Sequence, residues 1–560
     1  MTAADYLGSG RSFYNRAEGQ AAQLLVSHGF KHCIRRVYFL TLTTPAERAL
    51  RQNRLAEFMK AGKIHHSAQS LASAVKDIKA KLAAMPSDGQ EPPPFAHVDV
   101  ALSYEGMVKL GFRQSLLDVF RRKSPAFYDT AYARAARHLG DTGPSDIQYW
   151  TEPYLSRKRG GGFDVALIAH IGCEEGGPPF TAQTHALSVL ETALKKNLTG
   201  IDHAWAQPLE GSWIEVAAPL DDEGHEHFGY RDGITTPVYM REAPSSAPDT
   251  PPPDFKVQAL GEILLGHPRN DGDNPYADLG ITPRRHADWE PHSVPKAEAE
   301  KAFFKNSSFG VLRRMEQRVE MFDQWVTAQC AQNFAQDATQ VRIEPTPKNA
   351  FALGEKFIRS KLMGRTPEGL RLRPDMQLKD FVPKEVKRSI AAMGKQWGWE
   401  GDFHHRDTEG RPTPLDDSQG QACPFSSHIR RMNPQDDPVT PFIHRPVLRR
   451  GLPYTDATGK GMAGLFICAD ILEQFEHLAG AWGQQSVLGI PDPSRCRDPL
   501  IGQHQGSALD SRGNRMAIVG VQGEKKSLEF TEPFVITKGC AYVWFPSVDT
   551  LQRLGDFATD

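Results

Sequence analysis

The sequence predicts an α+β protein in two halves, and three observations carry that prediction. At 560 residues the chain exceeds what one simple hydrophobic core holds together. Strand-like and helix-like segments are mixed along it without strict strand-helix alternation, which favours α+β over a doubly wound α/β architecture. After Met240 the composition changes sharply, with Pro244, Pro248, Pro251, Pro252 and Pro253 crowded into one Ser- and Asp-containing stretch. The predicted division is an N-terminal half over 1–240, a Pro-rich linker over 241–255 and a C-terminal half over 256–560.

Taken in order, residues 37–42 (Val-Tyr-Phe-Leu-Thr-Leu) form a β-rich run, and Thr44-Pro45 starts a helix with proline in its first turn. Leu50, Leu55, Phe58 and Met59 then recur at helical spacing. Val98, Val100 and Leu102 alternate with His97, Asp99 and Ala101 as a second strand, and a short helix from Tyr104 stops near Gly111. Residues 163–171 read as a further strand, Thr181 opens an amphipathic helix with Leu187, Leu190 and Leu194 on one face, and 213–216 adds another strand. Beyond the linker come the apolar segment 260–266, a helix expected over 312–326 and a long Pro/Gly-punctuated stretch over 365–421. A buried strand over 465–468, a helix over 471–482 and one interrupted or two short strands over 534–545 complete the series.

Composition excludes several classes. Lys plus Arg number 66 against 68 Asp plus Glu, and a formal charge of −2 leaves no basic footprint for nucleic acid. Charged residues at 24% and apolar ones at 39% describe an ordinary globular chain, and no apolar run approaches a membrane span. Neither nucleic acid nor membrane is an expected partner, and an oligomer is compatible with this composition. Residues 1–16 mix polar, Gly and charged types without the apolar segment of a secretory signal, so a cytoplasmic protein is expected. The seven cysteines (Cys33, Cys173, Cys330, Cys423, Cys468, Cys496, Cys540) are odd in number, scattered and never in a C-x-x-C pair. That argues for buried free thiols rather than disulfides or structural zinc.

Three constellations can carry chemistry. The first, residues 225–233, reads His-Glu-His-Phe-Gly-Tyr-Arg-Asp-Gly and ends in Asp232 and Gly233. An Asp-Gly pair after a strand is ordinarily a turn, and His225 with His227 has the i, i+2 spacing of two metal ligands on one strand face. The second, residues 423–434, places His428 beside Arg430 and Arg431, with Cys423 as an alternative thiolate ligand. A histidine suits an axial iron ligand, and neighbouring arginines suit the carboxylates of a porphyrin edge. The third, residues 444–454, carries Arg449 and Arg450 before a Gly451-Leu452-Pro453-Tyr454 turn.

Together, in this order, the three resemble the dye-decolourising peroxidase family, specifically its larger, fungal-like branch. That family shows a G-x-x-D-G aspartate, a later histidine in H-I-R-(R/K)-x-N-P, and an arginine before a G-(I/L)-P-Y turn. Residues 260–266, 361–365, 469–476, 498–502 and 545–547 also look like the family, so the resemblance spans most of the chain from Val37 onward. The chain departs from the pattern in reading Asn433-Pro434-Gln435 where the family commonly has N-P-R, one positive charge fewer, and in a shortened stretch before Ala469.

The resemblance implies two ferredoxin-like α+β halves of the dimeric α+β barrel type, with antiparallel sheets covered by helices, and haem b held mainly by the C-terminal half. It implies His428 as the axial ligand of the haem iron, with Arg430, Arg431 and Gly233 at the cofactor. The carboxylate behind the histidine is expected from Asp470, Glu473 or Glu476, with Asp470 preferred. Asp232 would move the peroxide proton, and Arg449, rather than Arg450, would stabilise the departing hydroxide. An aspartate, with an ordinary pKa near ~3.9, remains a base where histidine is already protonated, so activity is expected on the acid side. The implied partners are hydrogen peroxide and small organic electron donors such as dyes and phenols, with Trp397, Trp399, Trp482, Tyr542 and Trp544 as stations for electrons from bulky donors. Alternative readings are a haem-binding or porphyrin-processing, deferrochelatase-like protein of the same fold, and a zinc or iron protein using His225, His227, His404 and His405.

Overall fold

A computed structural model describes residues 22–27, 33–42, 65–66, 96–155, 162–172, 201–203, 214–218, 220–221, 224–234, 238–240, 257–277, 300–334, 347–376, 378–393, 403, 407–433, 446–484, 496–504, 514–520, 523–552 and 557. The helices expected after Pro45 and from Thr181, and the linker over 241–255, lie outside the described residues. On either side of that linker, Val238–Met240 and Val257–Ala259 run parallel as a paired two-strand element.

In the N-terminal half, β1 (Cys33–Leu42) pairs antiparallel with β3 (Val165–Gly172), setting Val37 opposite Ile168. On its other side β3 takes β2 (Ala96–Leu102), with Val100 opposite Leu167, and β4 (Ile214–Ala217) lies along the free edge of β1. Numbered within the half, the strand order is 4-1-3-2. In the C-terminal half β5 (Ser308–Gln317) is flanked by β9 (Val535–Phe545) and β8 (Gly459–Cys468). The far edge of β8 carries β6 (Leu448–Arg449) and β7 (Leu452–Asp456). The order is again 4-1-3-2, counting β6 and β7 as one broken second strand, so each half has the ferredoxin-like pattern.

The halves fuse into one sheet where Trp544 of β9 pairs with Leu102 of β2. The outer edges also meet: the Ala218 N–H donates to the Pro453 carbonyl at 2.9 Å beside β7, a single bond rather than a ladder, so no closed barrel forms among the described residues. Aromatic packing holds the fused seam. Trp544 is fully buried, stacks on Phe303 at 4.7 Å and meets the edge of Phe120 at 5.4 Å, where large rings contribute more than their buried area alone.

Most expected elements are present with shifted ends. The helix from Tyr104 ends at Leu110, capped by the Ser103 hydroxyl at its start and by left-handed Gly111 at its end. The interrupted strand is continuous Val535–Phe545 with a bulge between Thr537 and Gly539. The helix expected over 312–326 is a correction: β5 runs to Gln317, and a helix occupies Val319–Phe334. Strands on both sides satisfy the backbone of β5 and bury it, and that ladder overrides the helical preference of Leu312, Met315 and Glu316. The helix Ile471–Trp482 is wound with wide, π-type turns and is started by the Asp470 carboxylate accepting from the Glu473 N–H at 3.0 Å. Among the described residues no helix is long and apolar enough to cross a membrane.

Candidate active site

A cavity of about 320 Å³ opens on one face of the C-terminal strands, in the size range of small-molecule and cofactor sites. Side chains alternate across a sheet, so its wall takes Arg313, Met315 and Gln317 from β5 and Met462, Gly464 and Phe466 from β8, while Leu312, Ala463 and Leu465 face the core. His428 and Leu478 also line the cavity, and the N-terminal half contributes residues between 226 and 234.

His428 opens the five-residue helix His428–Met432. The preceding Ser427 is fully buried, and its hydroxyl donates to the Lys361 carbonyl at 2.6 Å, which fixes where the helix begins. The His428 Nδ1 lies 2.9 Å from Oδ2 of Asp498, whose other oxygen accepts from the N–H groups of Leu500 at 2.9 Å and Ile501 at 3.0 Å. Burial pushes the Asp498 carboxyl up, but His428 beside it and the Ile501 N–H outweigh burial and hold it below the usual carboxylate range. A carboxylate at Nδ1 assigns the proton to that nitrogen and leaves the Nε2 lone pair for a metal.

Asp498 therefore occupies the place expected of Asp470. Asp470 instead caps its helix and pairs with Arg269 at 2.9 Å, Glu473 pairs with the same arginine at 2.8 Å, and Glu476 binds Arg134 at 2.6 Å and 2.7 Å. Arg430 and Arg431 are a second correction. They are 2% and 4% exposed, and neither lines the cavity. Arg430 donates to the carbonyls of Cys423 at 2.8 Å and Asp417 at 3.0 Å and stacks on Phe403 and Phe425, while Arg431 donates to the Trp482 carbonyl at 2.6 Å. At 100° per residue, positions 428, 429 and 432 share one side of the helix, and 430 lies opposite.

The cationic groups at the cavity come from elsewhere. Arg365 and Arg371 face each other across a tight turn, and the Arg231 N–H donates to the Pro367 carbonyl within that turn at 2.9 Å. All three line the cavity, and Arg371 stacks over Phe403 at 4.2 Å. Arg313 lines it too, tied to buried Asp141 by bonds of 2.6 Å and 2.9 Å. Sequence reasoning missed Asp498, Arg231, Arg313, Arg365 and Arg371. The segments 361–365 and 498–502 carried the available signal for two of them, Arg365 and Asp498.

Asp232 sits at the cavity on a tight loop. Its N–H donates to the Gly224 carbonyl at 2.8 Å, and its Oδ1 accepts from the Gly233 N–H at 2.7 Å. Gly233 also lines the cavity and has φ of 71°, a left-handed conformation that glycine takes without strain. Glu226 braces the loop, accepting from the N–H groups of Phe228 at 3.0 Å and Tyr230 at 2.9 Å and from Gln317 across the cavity wall. Burial pushes the Glu226 carboxyl up against these bonds. Arg449 and Gly451 face the cavity two residues apart on one strand side, whereas the Arg450 Nε turns to the Leu25 carbonyl at 3.2 Å.

The other candidates are not brought together. His225 bonds Asp221 at 2.7 Å and His227 bonds the Tyr454 carbonyl at 2.8 Å, while His404 and His405 lie outside the described residues. No group of three or more His, Cys, Asp or Glu able to hold a metal occurs among the described residues. Cys423 is fully buried away from the cavity, and burial pushes its thiol up, against a thiolate ligand. Trp482, Tyr542 and Trp544 are buried, so none is a surface electron station, and Trp397 and Trp399 lie outside the described residues.

These residues fit a haem: an imidazole with a carboxylate at Nδ1 and its Nε2 left over, apolar walls, and arginines suited to propionate carboxylates. No protein-family model matches the chain. It is 25% identical over 488 residues to a dye-decolorizing peroxidase of Mycetinis scorodonius, covering 82% of this chain and 77% of that one. It is 22% identical over 484 residues to a dye-decolorizing peroxidase of Mycena epipterygia, covering 82% and 76%. Among solved structures, a dye-decolorizing peroxidase in complex with 2,6-dimethoxyphenol superposes with TM-score 0.61 at 19% identity over 96% of this chain and 99% of that one. A fungal peroxidase of the same type from Auricularia auricula-judae superposes with TM-score 0.61 at 17% identity and the same coverage. The chain is thus similar along most of its length to curated dye-decolorizing peroxidases, and it shares the fold of their solved structures.

Proposed function

We propose that the chain is a haem peroxidase that reduces hydrogen peroxide and oxidises small organic donors, such as dyes and phenols, one electron at a time. The observation that carries this reading is the His428–Asp498 contact of 2.9 Å on a cavity that Asp232 and Arg449 also line. Haem b, when bound, supplies the iron at which the peroxide O–O bond breaks and at which the electrons are exchanged.

In this reading the Nε2 of His428 holds the iron, and Asp498, by holding the Nδ1 proton, makes that imidazole a stronger donor and fixes its plane. Arg231, Arg365 and Arg371 hold the propionates, the role first expected of Arg430 and Arg431. The Asp232 carboxylate takes the proton from one peroxide oxygen and returns it to the other, so that water rather than hydroxide departs. The Gly233 N–H on its Oδ1 keeps that carboxylate pointed. The Arg449 guanidinium, which lines the cavity, stabilises negative charge as it gathers on the leaving oxygen.

The test is a haem titration of the purified chain followed by the Soret band, then addition of peroxide and a phenolic donor. Wild type should take up one haem and turn over the donor, His428→Ala should lose haem, and Asp232→Asn should keep haem but react slowly. If wild type takes up no haem, or His428→Ala binds and reacts as wild type does, the reading is wrong. Release of iron-free porphyrin, rather than oxidised donor, would establish the porphyrin-processing alternative instead.

A further inference from the structure

We propose that Met315 and Met462 form an oxygen-accepting site in the cavity wall, converted to sulfoxides by hydroperoxide when no organic donor is present. This rests on the peroxidase reading.

The two residues are directly paired across β5 and β8, and both line the cavity. They flank a part of the wall with almost no side chains. The Met315 methyl is 3.0 Å from where a Cβ on Gly464 would sit, and the Met462 methyl is 3.5 Å from where a Cβ on Gly451 would sit. Gly451 in turn follows two positions after Arg449 on the same strand side, and Arg449, the residue assigned to the breaking peroxide bond, lines the same cavity as both methionines. Both are half-buried, unlike Met107 and Met516, which are fully enclosed in the core.

A glycine floor gives these long side chains room to move, and a thioether is the soft, oxidisable group among the residues that face this floor. The balance is simple. A sulfur lone pair attacks one peroxide oxygen, an S–O bond forms and the O–O bond breaks. The second oxygen leaves with both protons as water, so sulfur is oxidised by two electrons and the peroxide is reduced by two. The sulfoxide oxygen is a strong hydrogen-bond acceptor in a cavity that Arg313 and Arg449 also line. It would convert an apolar slot into a polar one and narrow it until a sulfoxide reductase restores the thioether.

The experiment treats the haem-loaded chain with a few equivalents of ¹⁸O-labelled hydrogen peroxide, with and without a phenolic donor, and maps oxygen incorporation by peptide mass spectrometry. Met321 and Met376, half-buried outside the cavity, are internal controls. Without donor, labelled sulfoxide at Met315 and Met462 should exceed that at the controls by at least about tenfold, and donor should suppress it. The haem-free chain should show the same preference but no suppression by the donor, because only haem turnover consumes the peroxide. Equal labelling at all four methionines, or none at the pair in a preparation that oxidises the phenol, overturns the proposal alone. A preparation that neither oxidises the phenol nor labels the pair overturns the peroxidase reading and the proposal with it. Met315→Leu with Met462→Leu conserves volume and should remove the labelled product; labelling at other wall residues at the same yield would also overturn the proposal.

Discussion

The imidazole of His428 and the carboxylate of Asp498, 70 positions apart in sequence, meet at 2.9 Å with the carboxylate wholly buried. Three donors converge on Asp498, His428 Nδ1 and the N–H groups of Leu500 and Ile501, so it is held in place before any metal is present. Partners of this kind typically control a metal ligand about as strongly as a contact to the metal would. Asp498→Ala is therefore expected to speed haem loss to an apomyoglobin scavenger by about 10–100-fold. Asp498→Asn keeps the shape without the charge, and should retain more haem while raising its reduction potential. Asp470→Ala should change neither, since Asp470 is engaged with Arg269. Unchanged haem loss in Asp498→Ala, or a larger effect in Asp470→Ala, would remove the assignment.

Arg313 and Asp141 form a buried pair joined by two hydrogen bonds, with Thr537 completing the set at 2.7 Å from each partner. Removing one member of such a pair leaves an uncompensated charge inside the protein. Asp141→Ala should lower the free energy of unfolding by about 3–5 kcal/mol in a denaturant titration. The exposed pair Arg388–Glu385 offers the contrast, and Arg388→Ala should cost no more than about 0.5 kcal/mol. Similar effects at the two sites would mean that the interior pair is not desolvated as described.

What was readable in the sequence follows from the range of the interaction. Asp232, His428 and Arg449 each sit in a local motif, and the choice of Arg449 over Arg450 agrees with strand alternation, which sends one side chain to the cavity and the next to Leu25. The ferredoxin-like order of each half was expected only through resemblance, because strand neighbours such as β1 and β4 are far apart in sequence. Asp498 was missed for the same reason: nothing near His428 indicates which carboxylate the fold carries to it. Arg430 was misplaced although helical phase turns it to the side opposite His428 and Met432, and Arg431 because its buried bond to the Trp482 carbonyl depends on a distant segment. The strand over 308–317 was misread because its propensity is local and its ladder is not.

Acid should weaken the fold through His504. It is buried against Phe530, with ring centroids 4.5 Å apart, and its Nε2 donates to the Asp498 carbonyl at 3.0 Å, so its neutral form is the one accommodated. Burial depresses it to about 4, from 6.5. The unfolded chain therefore binds a proton that the folded chain refuses between those values. Stability is fully present above pH 6.5 and is lost as pH falls toward 4, by roughly 3 kcal/mol in all. His504→Gln keeps a donor for the Asp498 carbonyl without a titrating ring, so its unfolding free energy should fall less steeply than wild type's across that window. Parallel profiles for the two proteins would show that another group governs the acid limb.

Arg449 and Arg450 make a paired test of the distal assignment, because adjacent strand positions put the same chemistry on opposite faces of the sheet. Arg449 sits opposite Phe466 at the cavity, and Arg450 donates from the other face to Leu25. A fixed cation aimed at developing charge acts on the breaking of the peroxide bond and not on haem uptake. Arg449→Leu should therefore lower kcat/KM for peroxide by about 10²–10³ while haem binding stays near wild type. Arg450→Leu removes a tether between β6 and the segment Leu24–Ser27, so its cost should appear as lower thermal stability, with the peroxide rate constant within about threefold of wild type. Arg449→Lys separates charge from geometry: partial recovery would mean that positive charge suffices, and none would mean that the planar guanidinium is required. If Arg450→Leu slows the peroxide reaction more than Arg449→Leu does, the strand faces have been assigned the wrong way round.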